Sequence, residues 1–146
     1  MASLNVSDQV SLITFSDESE CILDLVYMTT ENKVLAKNYI KSLQTIGGTN
    51  TLPGIHKSFE MMKTAPKTNI QSIILLTDGQ DSVGKDLLLR GFKNIDKDPI
   101  VQFNTFGISN NIWSDCLSEL ASKGGGIFGF IPDQTMIGYC LILIIK

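Results

Sequence analysis

Ile70-Gln-Ser-Ile-Ile-Leu-Leu-Thr77 is a near-continuous apolar run of strand length, and it breaks off at Asp78-Gly79. Such a run fits a strand buried on both faces of a parallel sheet, with helices on either side. The stretches around it switch between two rhythms. Val10-Ser-Leu-Ile-Thr-Phe15 is β-branched and aromatic, and Cys21-Ile-Leu-Asp-Leu-Val-Tyr27 follows closely enough to be its hairpin partner. Residues 30–43 set Val34, Tyr39, Ile40 and Leu43 among polar residues at helical spacing, with Thr29 or Thr30 as the cap. A second helix starts near Thr51 with Pro53 in its first turn and Ile55, Phe59 and Met62 on one face. The pattern then predicts a short helix over 86–92, a strand over 100–106, a helix over 112–123 stopped by Gly124-Gly125-Gly126, and a strand over 127–131. From Thr135 onward the reading is a final helix, although Leu141-Ile-Leu-Ile-Ile145 is apolar on every side and also suits an added strand.

Strands alternating with helices specify an α/β fold, doubly wound and mostly parallel. The 146 residues fit one domain, and 43% of them are hydrophobic, enough for a core without a disulfide or metal staple. Working residues of such sheets leave the carboxyl ends of the strands. Here those are Ser16-Asp17, Thr77-Asp78-Gly79 and Ser109-Asn110-Asn111, with the loop Gly47-Gly48-Thr49-Asn50 on the same rim.

Composition removes several functions. A net charge of −3 without a Lys/Arg cluster argues against nucleic acid. Cys21, Cys116 and Cys140 show no C-x-x-C spacing, so they read as small buried hydrophobes. Met1–Gln9 is not a signal peptide, and the apolar tail is far shorter than the roughly 20 residues of a membrane span. A cytosolic setting is expected, with an extracellular one as the alternative if a leader once preceded the chain.

Gly79-Gln-Asp-Ser-Val-Gly84-Lys85-Asp86 follows a buried strand and opens a helix, as a phosphate-binding loop does. It fails at Asp86, where a hydroxyl must hold magnesium, and Asp81 and Asp86 repel phosphate. Asp78-Gly-Gln-Asp81 hints at calcium, but Leu89 stands where an EF-hand needs its last Glu. His56 is the only histidine and has no nucleophile partner, so triad catalysis has little support. Glu60, Lys57 and Lys63 read as an exposed helix face, and Met61-Met62 as core filler. The oxygen donors of Thr49 and Asp78 suit a hard cation such as Mg²⁺, while a strand-end Asp is also a common turn former.

Val10-Ser-Leu-Ile-Thr-Phe-Ser16, Gly47-Gly-Thr-Asn-Thr-Leu-Pro-Gly54 and Ile73-Ile-Leu-Leu-Thr-Asp-Gly79 together resemble a von Willebrand factor type A domain. Phe106-Gly-Ile-Ser109 and Gly124-Gly-Gly-Ile-Phe-Gly-Phe-Ile-Pro-Asp133 are similar to its later strands, in matching order across nearly the whole chain. The resemblance implies an open sheet with helices on both faces and a metal-ion-dependent adhesion site on its rim. There a bound divalent cation, Mg²⁺ or Mn²⁺, captures a partner's acidic side chain. Carried over, Thr49 and Asp78 are two of the metal ligands. The family's Asp-x-Ser-x-Ser motif at the end of the first strand is absent, and the chain opens where the second strand begins. On that reading residues 1–146 are a single partial domain lacking its first central strand and the following helix, roughly 35–45 residues.

Several expectations follow. The chain is a protein-interaction module and not an enzyme, its cation affinity weak or absent with only Thr49 and Asp78. The rivals are a P-loop-like nucleotide-binding enzyme using Gly79, Gly84 and Lys85, and a structural remnant without a working site. No nucleic acid or membrane partner is expected. The strands at 10–15 and 70–77 flank the gap, so either their bare edges drive self-association, or they close on each other, or the tail 140–145 fills the space.

Overall fold

The computed structural model describes residues 4–44, 47–65, 71–78, 80–96, 101–108, 112–131 and 141–145, the last as backbone. In chain order these form β1 (Gln9–Phe15), β2 (Ser19–Tyr27), α1 (Thr30–Ser42), α2 (Thr51–Thr64), β3 (Gln71–Thr77), α3 (Lys85–Asn94), β4 (Val101–Gly107), α4 (Ser114–Lys123), β5 (Gly125–Phe130) and β6 (Leu141–Ile145). One sheet runs β2-β1-β6-β3-β4-β5. β3 pairs parallel with β4, and β4 with β5. β6 is antiparallel to both β1 and β3, so β1 runs the same way as β3. Four strands therefore end on one rim, as a doubly wound fold requires.

The central position is taken by the tail. Residues 141–145 form the added strand and not the final helix, the two readings left open for them, while 135–140 lie outside the described residues. Leu143 stands opposite Leu12 on one side and Ile74 on the other. Of the three fates open to the gap, the chain adopts the one that pairs the backbone of both flanking strands, since an unpaired buried N–H or C=O is costly. The strands at 10–15 and 71–77 therefore do not present bare inner edges to a second copy. The outer strands are β2 and β5.

Two apolar clusters flank the sheet, so helices lie on both faces. The larger packs Ile55, Phe59 and Met62 of α2, Leu88 and Phe92 of α3, and Leu117 and Leu120 of α4 against Ile13, Phe15, Ile73, Leu75 and Phe103. Met62 is core filler as expected, with Met61 packed beside it. The smaller joins Ala36 of α1 to Val10, Leu12, Leu23 and Met28. Thr29 caps α1 by accepting the Asn32 N–H. β3 is buried fully on one face only: Ile73 and Leu75 are sealed, whereas Ile74 and Leu76 on the other face are half-buried. Among the described residues α1 alone covers that second face, and it sits beside β2. On the outer strand β5, Ile127 and Phe130 are exposed.

The glycine run at 124–126 both stops a helix and begins a strand. Gly124 is the C-cap of α4, and β5 starts at Gly125, two residues earlier than the apolar pattern indicates. Gly126 lies so close to β4 that a Cβ there would fall 2.2 Å from the Phe103 carbonyl oxygen. Only glycine permits that approach.

Candidate metal rim

Three segments meet where β1 and β3 end. Ser16-Asp17 leaves β1, Gly47–Asn50 leads into α2, and Asp78 to Gly84 joins β3 to α3. Backbone hydrogen bonds stitch them together. The Asn50 N–H donates to the Ser16 carbonyl at 2.6 Å, and the Ser82 N–H donates to the Thr49 carbonyl at 2.7 Å. The Ile108 N–H donates to the Thr77 carbonyl at 3.0 Å, tying β4's exit to β3's. Thr49 and Asp78, both half-buried, thus belong to neighbouring loops on one rim.

The two glycines before Thr49 have a steric reason. Gly47 has φ +72°, a left-handed conformation that costs other residues roughly 1–2 kcal/mol. A Cβ on Gly48 would lie 2.7 Å from one carboxylate oxygen of Asp17, and one on Gly47 would lie 2.9 Å from the other. The exposed Asp17 carboxylate therefore rests against bare backbone. Asn50 holds the same loop from within. Its Nδ2 reaches the Asp17 carbonyl at 3.5 Å, and its Oδ1 is buried without a hydrogen-bond partner.

Asp81 is the residue that sequence reasoning undervalued. Only 8% exposed, it accepts the Thr51 N–H at 2.7 Å and the Val83 N–H at 2.9 Å through separate oxygens. It thereby caps α2, whose own N-cap residue Asn50 makes no side-chain capping bond. No local motif announces this, because donor and acceptor are thirty residues apart.

The donor set fits a hard cation in kind: the Thr49 hydroxyl, the Asp78 carboxylate of the neighbouring loop, and the orphaned Asn50 amide oxygen beside Thr49. In number it is sparse. Among the described residues no three His, Cys, Asp or Glu side chains are grouped to hold a metal. Water must supply most of the shell, so such a site is weak.

The other candidates separate from this rim. Gly84, at φ +82°, is the N-cap of α3, while Gly79 lies outside the described residues. Lys85 donates to Asp115 at 2.7 Å and lies over the Trp113 ring at 5.7 Å, and this contact holds the Asp115 carboxyl below its usual value. The Val83 N–H is taken by Asp81 and the Ser82 N–H by the Thr49 carbonyl, so neither is free for a phosphate. His56 is exposed on α2. Cys116 is buried, as expected, and burial pushes its thiol up to about 11. Cys21 is half-buried with its thiol raised by the same cause, and Cys140 lies outside the described residues. Iodoacetamide at neutral pH should leave Cys116 unmodified until denaturant is added, as read by peptide mass mapping, because the thiolate is the reactive form. Rapid native labelling would mean that α4 opens.

An open α/β sheet with oxygen donors at the carboxyl ends of its strands defines a doubly wound domain with its candidate site on that rim. A family model for the von Willebrand factor type A domain matches residues 1–137. The chain belongs to that family. It is 33% identical over 141 residues to bovine inter-alpha-trypsin inhibitor heavy chain H4, covering 90% of this chain and 15% of that protein. Mouse inter-alpha-trypsin inhibitor heavy chain 4 is 34% identical over 144 residues, at 92% and 15% coverage. The chain thus spans about 15% of the length of these relatives. A von Willebrand factor type A structure from Catenulispora acidiphila superposes with TM-score 0.80 at 21% identity, covering 94% of this chain and 33% of that one. Proximal thread matrix protein 1 from the mussel byssus, solved with a zinc-occupied MIDAS motif, superposes at TM-score 0.57 and 20% identity, covering 82% and 30%.

Proposed function

We propose that this interaction module takes a divalent cation, Mg²⁺ or Mn²⁺, on its rim through Thr49 and Asp78, and presents it to an acidic side chain of a partner protein. The observation that carries the reading is the Ser82-to-Thr49 backbone bond, which sets the two ligand loops side by side. A zinc-occupied site of this type in the mussel byssus protein supports the choice of rim. The bound cation supplies a Lewis-acidic contact for a carboxylate. The chain's residues do the rest: Asp78 contributes charge, Thr49 a neutral oxygen, and the glycine pair a close backbone approach. Copies of the chain associate, on this reading, through the outer strands β2 or β5, the edges that the fold leaves unpaired.

Few charged ligands mean weak binding, so calorimetry with Mg²⁺ or Mn²⁺ should give a dissociation constant of about a millimolar or weaker. Asp78→Ala should abolish what binding there is, because it removes the site's one committed carboxylate. Micromolar affinity that survives Asp78→Ala would move the cation elsewhere.

A further inference from the structure

We propose that Asp81 is the positioning residue of this rim: its buried carboxylate sets where Thr49 stands relative to Asp78. The inference rests on the reading of those two residues as cation ligands. Asp81 does not itself suit coordination, since one oxygen is held by the Thr51 N–H at 2.7 Å and the other by the Val83 N–H at 2.9 Å. Those two donors belong to different segments, the first residue of α2 and the turn after β3. One side chain therefore clamps the start of α2, two residues after Thr49, to the segment that carries Asp78. Ser82, next in sequence, adds the bond to the Thr49 carbonyl, so the loop is tethered at Thr49 and again at Thr51, two residues apart.

The chemistry explains why an acid stands here. Two converging N–H groups need two acceptor oxygens, and a carboxylate supplies both. The negative charge also lies at the N-terminus of α2, where the helix dipole favours it. Asparagine offers one acceptor and turns an NH₂ towards the second donor. A local cap at position 50 would have stabilised α2 equally well without touching the 78–84 segment. The fold instead leaves Asn50 Oδ1 without a partner and draws the cap from across the rim.

The test uses the full chain, ¹⁵N-labelled, with substoichiometric Mn²⁺ as a paramagnetic probe of amide signals. In the wild type, broadening should centre on Thr49 and Asp78. In Asp81→Asn, broadening at Thr49 should weaken relative to that at Asp78, with overall affinity roughly tenfold lower, as for lost outer-shell partners of metal ligands. The double variant Asn50→Asp/Asp81→Asn restores a local cap for α2 without restoring the clamp, and keeps the test valid if the single variant folds poorly. A positioning role keeps the broadening at Thr49 weak relative to that at Asp78 in the double variant. Wild-type broadening in either folded variant would overturn it and reduce Asp81 to a helix cap. No broadening in the wild type would instead overturn the cation reading, and the positioning role with it.

Discussion

Leu143→Pro is expected to unfold the domain, a larger effect than a proline should have in either outer strand. Leu143 is the midpoint of β6, opposite Leu12 of β1 and Ile74 of β3. Proline removes a backbone donor, and central strands do not tolerate that. The position matters more than the bond. Among the described residues β6 is the only link in the sheet between the β2-β1 pair and the β3-β4-β5 group. Losing it exposes two rows of unpaired N–H and C=O groups at once, against a total stability of about 5–15 kcal/mol for an ordinary domain. Thermal melting and hydrogen exchange on the full chain would read the result. The expected outcome is a lost cooperative transition, together with loss of amide protection in both β1 and β3. A variant that melts within a few degrees of the wild type would mean that β1 and β3 pair without β6. A proline at Asp24, in the outer strand β2, serves as the milder comparison.

The strand–helix alternation was legible because most elements carry a clear period. Val10–Phe15, Thr51 as the start of α2 and the run before Asp78 all fall where apolar spacing and turn residues put them. The tail was not legible, for a reason that lies in its composition. Leu-Ile-Leu-Ile-Ile is apolar at every position, so it has no period by which helix and strand can be told apart. What decides is non-local: a slot between two parallel strands whose backbone needs partners on both sides. The glycines at 124–126 misled in a similar way. They read as a full stop, yet Gly126 is a strand residue because β4 passes too close for a side chain. At the rim, the order of short motifs put the loops of Thr49 and Asp78 on one edge of the sheet, where they lie. The bonds that join their loops were not, since Asp81 reaches a helix start thirty residues away.

Phe103→Ala should be the most destabilising truncation that still permits folding. Phe103 is fully buried on β4 and makes ring contacts with Phe59 of α2 at 5.9 Å and Phe92 of α3 at 4.8 Å. Phe59 and Phe92 also meet each other edge-on at 6.1 Å, closing a three-ring cluster beneath two helices. The turn into β5 leans on the same residue, for a Cβ on Gly124 would lie 2.4 Å from the Phe103 Cβ. Truncation leaves a cavity that neither helix can collapse into without breaking the other ring contact. Phe→Ala in such a site costs roughly 3–5 kcal/mol, and the loss of two aromatic pairs places this one towards the upper end. Urea unfolding of the full chain measures it, with Phe130→Ala as the comparison at 46% exposure. That partner should change by only about 0.5 kcal/mol. A Phe103→Ala loss no larger than that of Phe130→Ala would show that the three-ring cluster does not hold the helices. Four residues separate Phe103 from the end of β4, on the order of 13 Å at strand rise, so the rim is out of its direct reach. The folded fraction of Phe103→Ala should therefore keep the wild-type pattern of Mn²⁺ broadening at Thr49 and Asp78. Stability and the rim's chemistry would then separate: the aromatic cluster sets how much protein is folded, and Asp81 sets what the folded rim can hold.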